Sequence, residues 1–525
     1  MKVLVADTIH PAAVEMLKEK ASVIDAVNAS SEELIKRITD ADAVLVRSKP
    51  KLTKEILEHA KRLKVIGRAG IGVDNIDMDF ATKRGIIVVN APESSTTTVA
   101  EHTFGLILSI ARKIPQADAN VKSGRWDKKR FMGAEIRGKT LGVLGIGRIG
   151  SRVAEMGKAF GMEVISYDPY ISIESVQKKG IRLVKLGELL KTSDFITLHL
   201  PKTEKTAGLI GKKELESMKP TAYLINCARG GIVNEKALFE ALKKNTIAGA
   251  AMDVFEKEPP EGSPLLGLEN FIGTPHLGAS TEEAQEMASI TTAKDVIAVL
   301  ENQSPKNAVN MPVIAPEIME KLSPFLKLCE GMGRFAIQLV EGRVEEIGIV
   351  YCGKLRGMKE LGLLTNTVLK SVLSPILLNT INVINSAIVA RDRGIKVAQG
   401  EREDSEEFSS MILLTIKTDS ESIELKGVLF GDIQPRIIGI DGYPVDIAPA
   451  GNILLIRHED RPGIIGNIAT TLGHHNINIG SMHVGRKRVG EAQIMAVNID
   501  QDINEETLTS VGLINGVLRV RFTKN

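Results

Sequence analysis

A short apolar run, Thr140 to Leu144, leads straight into Gly145, Gly147 and Gly150, spaced G-x-G-x-x-G. A helical pattern through Val153, Ala154 and Gly157 follows, then a second strand-like run, Glu163 to Tyr167, closed by Asp168. Such a stretch leaves few folds open. The first glycine permits a tight turn, the second lets backbone approach a pyrophosphate, and the third lets helix and strand pack closely. Unpaired N–H groups at the helix start, around Arg148 and Ile149, then face the pyrophosphate. A glycine-rich turn alone occurs in many α/β proteins. The strand before it, the helix after it and an acid about 20 residues on together specify a dinucleotide site. Asp168 can accept hydrogen bonds from ribose hydroxyls and would repel a 2′-phosphate, so the expected cofactor is NAD.

The chain has 525 residues, too many for one core, and about three or four domains are expected. Residues 1 to 98 alternate short strands with amphipathic helices, which implies a doubly wound parallel sheet. Residues 99 to 281 do the same around the glycine turn. A helix from Thr281 to Glu301 would return the chain to the first sheet. Beyond a polar linker, 308 to 450 reads as mixed α and β, with a helical stretch from Ile314 to Glu341 and a long helix, Thr365 to Arg393, split or kinked at Pro375. Residues 451 to 525 read βαββαβ, a ferredoxin-like order.

Charge excludes some partners. Lys plus Arg is 67 and Asp plus Glu is 65, with no long basic tract, which argues against nucleic acid. No apolar run is long enough for a bilayer. The start, MKVLVADTIH, enters a strand-like run without a signal peptide. Cys227, Cys329 and Cys352 suggest neither a disulfide framework nor a zinc site. A cytoplasmic protein without a metal is expected.

Polar residues gather where the strands end, the place where such sheets bind ligands. In the first unit these are Arg47-Ser48-Lys49, Arg68 to Asn75 and Asn90 to Thr96. Arginine offers a planar fork of donors suited to carboxylate or phosphate. A long helix, Thr97 to Val121, leaves this sheet. The loop from Gly124 to Phe131 holds Trp126, the sole tryptophan, placed for a subunit contact or for local packing. In the second unit three strand ends carry Arg229, Glu258 and His276. Oxidation of a 2-hydroxy acid needs a base for the hydroxyl proton, and histidine titrates near working pH. A carboxylate on its other ring nitrogen fixes the tautomer, and an arginine can anchor the substrate carboxylate.

The runs GIGRIG with Asp168, NCARGGIVNE, AAMDVFEKEPP and TPHLGAST resemble the D-isomer-specific 2-hydroxyacid dehydrogenases over roughly residues 1 to 310. The resemblance implies two Rossmann-like domains, 1–98 with 282–307 for substrate and 99–281 for NAD. It implies catalysis by Arg229, Glu258 and His276. It places Gly145, Gly147, Arg148, Ile149, Asp168, Cys227, Ala228, Arg229, Asp253, His276, Leu277, Gly278 and Ala279 at the cofactor. Arg47, Arg68 and Gly70, with Arg229 and His276, are the candidates for substrate. Ile71 stands where some relatives have Thr, so no side-chain hydrogen bond to cofactor is available there.

The run HEDRPGIIGNIATTLGHHNINIGSMHVGR resembles an ACT domain, an amino-acid-binding module often found at dimer interfaces, and places it at 451–525. His458, Asp460 and Asn478 match effector-holding positions, with Asp460 where several relatives have Asn. The whole chain is similar to long-form family members with an intervening regulatory domain, here 308–450. That implies oxidation of 3-phospho-D-glycerate to 3-phosphooxypyruvate, the first committed step toward L-serine, with L-serine as effector and a homodimer or homotetramer as the assembly. Two other readings are a hydroxypyruvate-reductase type of dehydrogenase and a non-catalytic NAD-sensing protein.

From Asp168 we expect a strong preference for NAD over NADP in kcat/KM. Equal values for the two cofactors would remove Asp168 from cofactor selection.

Overall fold

Strands of four residues joined through helices pair in parallel, because each crossover returns the chain to the same end of the sheet. The computed structural model describes residues 1–177, 180–312, 314, 316–377 and 381–524. Its first sheet is wholly parallel, in the order Ser22–Asp25, Lys2–Val5, Ala43–Val46, Val65–Arg68, Ile87–Asn90. The central strand Ala43–Val46 is buried along its length, as a strand covered on both faces must be. Helix Ser31–Ile38 covers one face with Leu34 and Ile38, and a Ser30–Glu33 capping box starts it. The other face is covered from far along the chain. Helix Glu282–Leu300 packs Ala293, Val296 and Leu300 against Val3, Val5, Leu45 and Val65. Gly67 makes this approach possible. A Cβ there would stand 2.6 Å from Thr292 Cγ2 and 2.7 Å from Val296 Cγ2.

The second sheet has seven parallel strands, in the order Phe271–Gly273, Gly249–Met252, Tyr223–Asn226, Phe195–Leu198, Thr140–Leu144, Glu163–Tyr167, Arg182–Leu183. The expected helix from Thr97 to Val121 is two helices, Thr96–Arg112 and Ile114–Lys122. Lys113 between them is left-handed, with φ 54°, and Pro115 sits in the first turn of the second helix. Proline has no N–H to continue the first helix but suits the start of the next.

The third sheet is mixed. Lys396–Arg402 pairs in parallel with Val344–Gly353, and Ser410–Thr418, Ser422–Phe430, Gln434–Ile440 and Tyr443–Ile447 continue antiparallel. Helices Pro316–Leu339 and Leu361–Leu373 cover it. The long helix expected from Thr365 ends at Leu373, before Pro375, and helix Ser386–Asp392 follows separately. Residues 378–380 of that stretch, and residue 315 of the preceding one, lie outside the described residues. The fourth sheet has the antiparallel order Ile479–Arg486, Gln493–Ile499, Asn452–His458, Val517–Lys524, with two helices on one face. Its chain order is the ferredoxin-like one. Among the described residues no helix is long and apolar enough to cross a membrane.

Gly67→Ala should force the helix Glu282–Leu300 off its strand and cost about 1–3 kcal/mol, the usual range for overpacking. Thermal denaturation of the variant measures this; an unchanged midpoint would mean the helix can shift freely.

Candidate active site

Gly145 closes the first strand of the second sheet with φ 89°, and a Cβ there would lie 2.4 Å from the His199 carbonyl oxygen. Gly150 packs its Cα against the turn, where a Cβ would stand 1.9 Å from Gly145 O. Gly147 is the residue before helix Arg148–Ala159 and has open space beside it. The first-turn N–H groups at Arg148 and Ile149 therefore point out of a bare backbone turn. Asp168 is anchored beside it: Oδ2 accepts from Ile146 N at 3.0 Å and Oδ1 from Tyr170 N at 3.0 Å. A turn without side chains, a helix N-terminus and a fixed carboxylate fit the pyrophosphate and ribose of NAD. Arg148 reaches across to Glu93 of the first domain, with Nε 4.0 Å from Oε1. Cys227 is buried, and burial pushes its thiol up to about 12, so it remains neutral in this wall.

The loop that carries the candidate His276 follows the strand Phe271–Gly273. His276 has φ 56°, left-handed for a non-glycine residue. Its Nδ1 lies 2.8 Å from Glu258 Oε2, and Glu258 Oε1 accepts from Phe255 N at 3.1 Å. With Nδ1–H donating to that carboxylate, Nε2 carries the lone pair. The backbone around His276 is held by Asp253, which is buried. Asp253 Oδ1 accepts from Leu277 N at 2.7 Å and from Thr274 Oγ1 at 2.6 Å, Oδ2 accepts from Gly278 N at 2.8 Å, and Asp253 O accepts from His276 N at 2.9 Å. His102 Nε2 is 3.2 Å from Asp253 Oδ1. Burial pushes the Asp253 carboxyl up, but hydrogen bonds from His102, Thr274 and Leu277 outweigh it, and its pKa lies below the ordinary value. Expected at the cofactor, Asp253 spends both oxygens on this loop. Ala279 continues it.

Arg229 sits on a loop fastened from within. Fully buried Asn226 accepts from Ala228 N at 3.0 Å and donates to Arg229 O at 3.0 Å. This loop touches the Glu258 loop directly: a Cβ on Gly230 would stand 1.8 Å from Phe255 O. Across the cleft, Arg229 Nε donates to Asp74 Oδ2 at 3.2 Å. Gly72 leaves the room, since a Cβ there would meet Arg229 Nη2 at 2.2 Å.

Arg47 and Arg68 come from the first sheet. Asp7, buried, uses one oxygen to accept the N–H groups of Arg47, Ser48 and Lys49 at 3.1, 2.8 and 3.0 Å, which fixes the Arg47 loop. Arg68 folds back over Gly70, whose φ is 148° and whose Cβ would lie 1.7 Å from Arg68 Nη1. Burial, then repulsion from Arg229 and Arg47, lowers the Arg68 pKa to about 10 against the attraction of Asp74 and Asp7. Arg47 and Arg229 thus lie within electrostatic reach of Arg68, whose Nε is buried without a partner.

Of the candidate effector residues, His458 ends a strand of the fourth sheet, and Asp460 and Asn478 lie in loops next to its strands. His458 is buried, with Nδ1 donating to Glu459 O at 2.7 Å and Nε2 left unpartnered. Asp460 accepts from Gly490 N at 3.2 Å and Arg486 Nη1 at 3.4 Å, and Asn478 Nδ2 donates to Asp500 Oδ2 at 2.6 Å. Asp74 fell within the polar run after Arg68 without a role of its own, and Asn226 and His102 were not singled out from sequence. Asn226 alone carried a local signal, as a polar residue closing an apolar strand.

A dinucleotide turn with an anchored acid, and in the same domain a histidine bonded to a glutamate, mark the class: an NAD-dependent dehydrogenase of 2-hydroxy acids. Residues 104–278 match the family model described as D-isomer specific 2-hydroxyacid dehydrogenase, NAD binding domain. Residues 321–441 match the D-3-phosphoglycerate dehydrogenase intervening domain, and 452–511 the ACT domain. The D-3-phosphoglycerate dehydrogenase of Methanocaldococcus jannaschii is 47% identical over 512 residues, 97% of each chain. That of Bacillus subtilis is 36% identical over 521 residues, 99% of each chain. Among solved structures, D-lactate dehydrogenase from Aquifex aeolicus, complexed with NAD and lactic acid, matches with TM-score 0.54 and 34% identity over 59% of this chain and 99% of that one. The chain belongs to the D-3-phosphoglycerate dehydrogenase family.

Gly230→Ala should drive the Arg229 and Glu258 loops apart. Displacements of about 1 Å in reacting groups can cost about 10²-fold in rate, and a loss of that order is expected in kcat. Wild-type kinetics would show that the two loops need not touch.

Proposed function

We propose that the protein oxidises 3-phospho-D-glycerate with NAD to 3-phosphooxypyruvate, opening the route to L-serine. The observation that carries this is the nearness of Arg47 and Arg229 to Arg68, a charge excess suited to a substrate with both a carboxylate and a phosphate. Relatives named D-3-phosphoglycerate dehydrogenase that match nearly the full length support it. NAD, when bound, supplies the hydride acceptor for C2 of the substrate. His276 Nε2 takes the C2 hydroxyl proton, since its Nδ1–H is committed to Glu258. Glu258 stabilises the imidazolium that results. Arg229 holds the carboxylate and polarises the new carbonyl, with Asp74 steadying its Nε. Arg47 and Arg68 hold the phosphate. Residues 1–98 with 282–307 act as the substrate domain and 99–281 as the cofactor domain.

Regulation belongs to the rest of the chain in this reading. Residues 451–525 form the ACT module, bind L-serine and inhibit the enzyme, with 308–450 as the intervening regulatory unit. Support comes from buried His458, whose free Nε2 offers a polar partner to an amino acid. The protein works as a homodimer or homotetramer in the cytoplasm. Trp126 is 73% exposed and Met132 77%, so neither is a packing anchor within the chain, and a second subunit would cover them.

The test is a substrate panel: NADH formation with 3-phospho-D-glycerate should far exceed that with D-glycerate or D-lactate. A preference for an unphosphorylated acid would overturn the assignment. His276→Ala should lose at least about 10²-fold in kcat while still binding NADH. L-serine should bind the full protein in calorimetry and lower its activity; no heat and no inhibition would leave the ACT module as a structural element.

A further inference from the structure

A cavity of about 1030 Å3 opens at the end of the first sheet away from the active site. The direction follows from the strands. Arg47 and Arg68 sit at the ends of Ala43–Val46 and Val65–Arg68, whereas Leu63, Lys64 and Ile86 in the cavity wall precede the strands Val65–Arg68 and Ile87–Asn90. In a parallel sheet these are opposite edges. The far wall is the unit that follows the linker: Asn382, Asn385, Val389, Asp392 and Arg393.

The lining is strongly one-signed. Lys61, Arg62, Lys64, Lys83 and Arg84 come from the first domain and Arg393 from the other side, against Asp392 as the acid in the wall. Asp392 is taken by Lys83, at 2.6 Å, and Arg62 by Asp42, at 3.1 Å. Arg84 donates to the carbonyls of Ala60 and Glu58 at 3.3 and 3.4 Å, which leaves its charge unneutralised. Among the described residues Lys61, Lys64 and Arg393 have no carboxylate in salt-bridge range. Polar contacts join the two walls. Asn382 Nδ2 donates to Gly85 O at 2.6 Å and Asn385 Nδ2 to Lys83 O at 3.3 Å, beside the Lys83–Asp392 pair.

Like charges facing one another across a concave site raise the local positive potential and repel, and a small anion between them removes both penalties. Guanidinium and ammonium groups together suit phosphate oxygens. The volume matches metabolite pockets rather than a single ion, and Leu63, Phe80, Ile86 and Val389 give it the apolar lining such pockets have. We propose that this cavity binds a multiply charged, phosphate-bearing small molecule, and that its occupancy fastens the 308–450 unit to the first sheet. The site is separate from the catalytic cleft and from the ACT module, and the proposal stands whichever 2-hydroxy acid the enzyme prefers.

The experiment titrates inorganic pyrophosphate into the full-length protein by calorimetry and compares Lys61→Glu/Lys64→Glu/Arg393→Glu. Pyrophosphate held by the catalytic arginines is common to both proteins, so the difference reports this cavity. The triple variant should bind about 10-fold more weakly or worse, the equivalent of one lost charge-assisted hydrogen bond, with kcat, KM and melting temperature unchanged. Hydrogen exchange at 83–87 and 382–393 should slow on addition of pyrophosphate in the wild type only. Identical titrations in the two proteins, or no heat in either, overturn the site. A difference in heat without a change in exchange overturns the fastening. Should the triple variant unfold, Lys61→Ala/Arg393→Ala is read the same way, with a smaller loss expected.

Discussion

The Asp253 carboxylate, almost wholly removed from solvent, is the group on which the candidate active site depends. Burying a charge is unfavourable unless it is hydrogen-bonded, and here the partners are the backbone and side chains of the loop that carries His276. That loop needs them. A left-handed non-glycine residue costs about 1–3 kcal/mol and persists only where its surroundings over-determine it. The aim of the imidazole at Glu258 therefore rests on a carboxylate bonded to the backbone of the same loop, at Leu277 and Gly278. His102 extends the network into helix Thr96–Arg112, so the elements joining the two domains also steady the histidine.

The two parallel sheets repeat one electrostatic device at each end. At the C-terminal edge, Asp7 gathers the N–H groups of residues 47–49 as Asp253 gathers those of 277 and 278. At the opposite edge, Asp42 accepts from Lys2 N at 2.8 Å and pairs with Arg62, while Asp194 accepts from Thr140 N at 2.9 Å and pairs with Lys219. In both, burial raises the carboxyl, but backbone and cationic partners outweigh it and hold the pKa below its usual value. A strand-end carboxylate ties neighbouring strands or their loops together with no demand on the apolar core, which lets the edge residues Arg47, Arg68 and Arg229 serve ligands instead.

Much of this was legible in the chain because its signals are local. The glycine turn, its flanking strands and Asp168 lie within thirty residues, and turn chemistry and periodicity report on such stretches directly. Arg229, Glu258 and His276 could be picked out as candidates because each lies in a polar loop that follows a short apolar run. The pairing of Asp74 with Arg229 was not, since it joins residues 155 apart across two domains. The break at Lys113 was missed because the apolar pattern runs through it and one proline is a weak local mark. The strand Tyr443–Ile447 was also missed, being short and interrupted by Pro444, which an edge strand tolerates.

Gly67 and helix Glu282–Leu300 carry a consequence for the order in which the molecule is made. The strands of the first sheet leave the ribosome about two hundred residues before the helix that covers their second face. Synthesis runs at about 5–20 residues per second, so that apolar surface waits tens of seconds for its partner, while the intervening strands assemble as a separate unit. The sheet meets this interval with short strands and with the charge of Asp42 and Arg62 at its rim. The first domain to be synthesised is thus the later one to close, and the cleft takes shape only when both are in place.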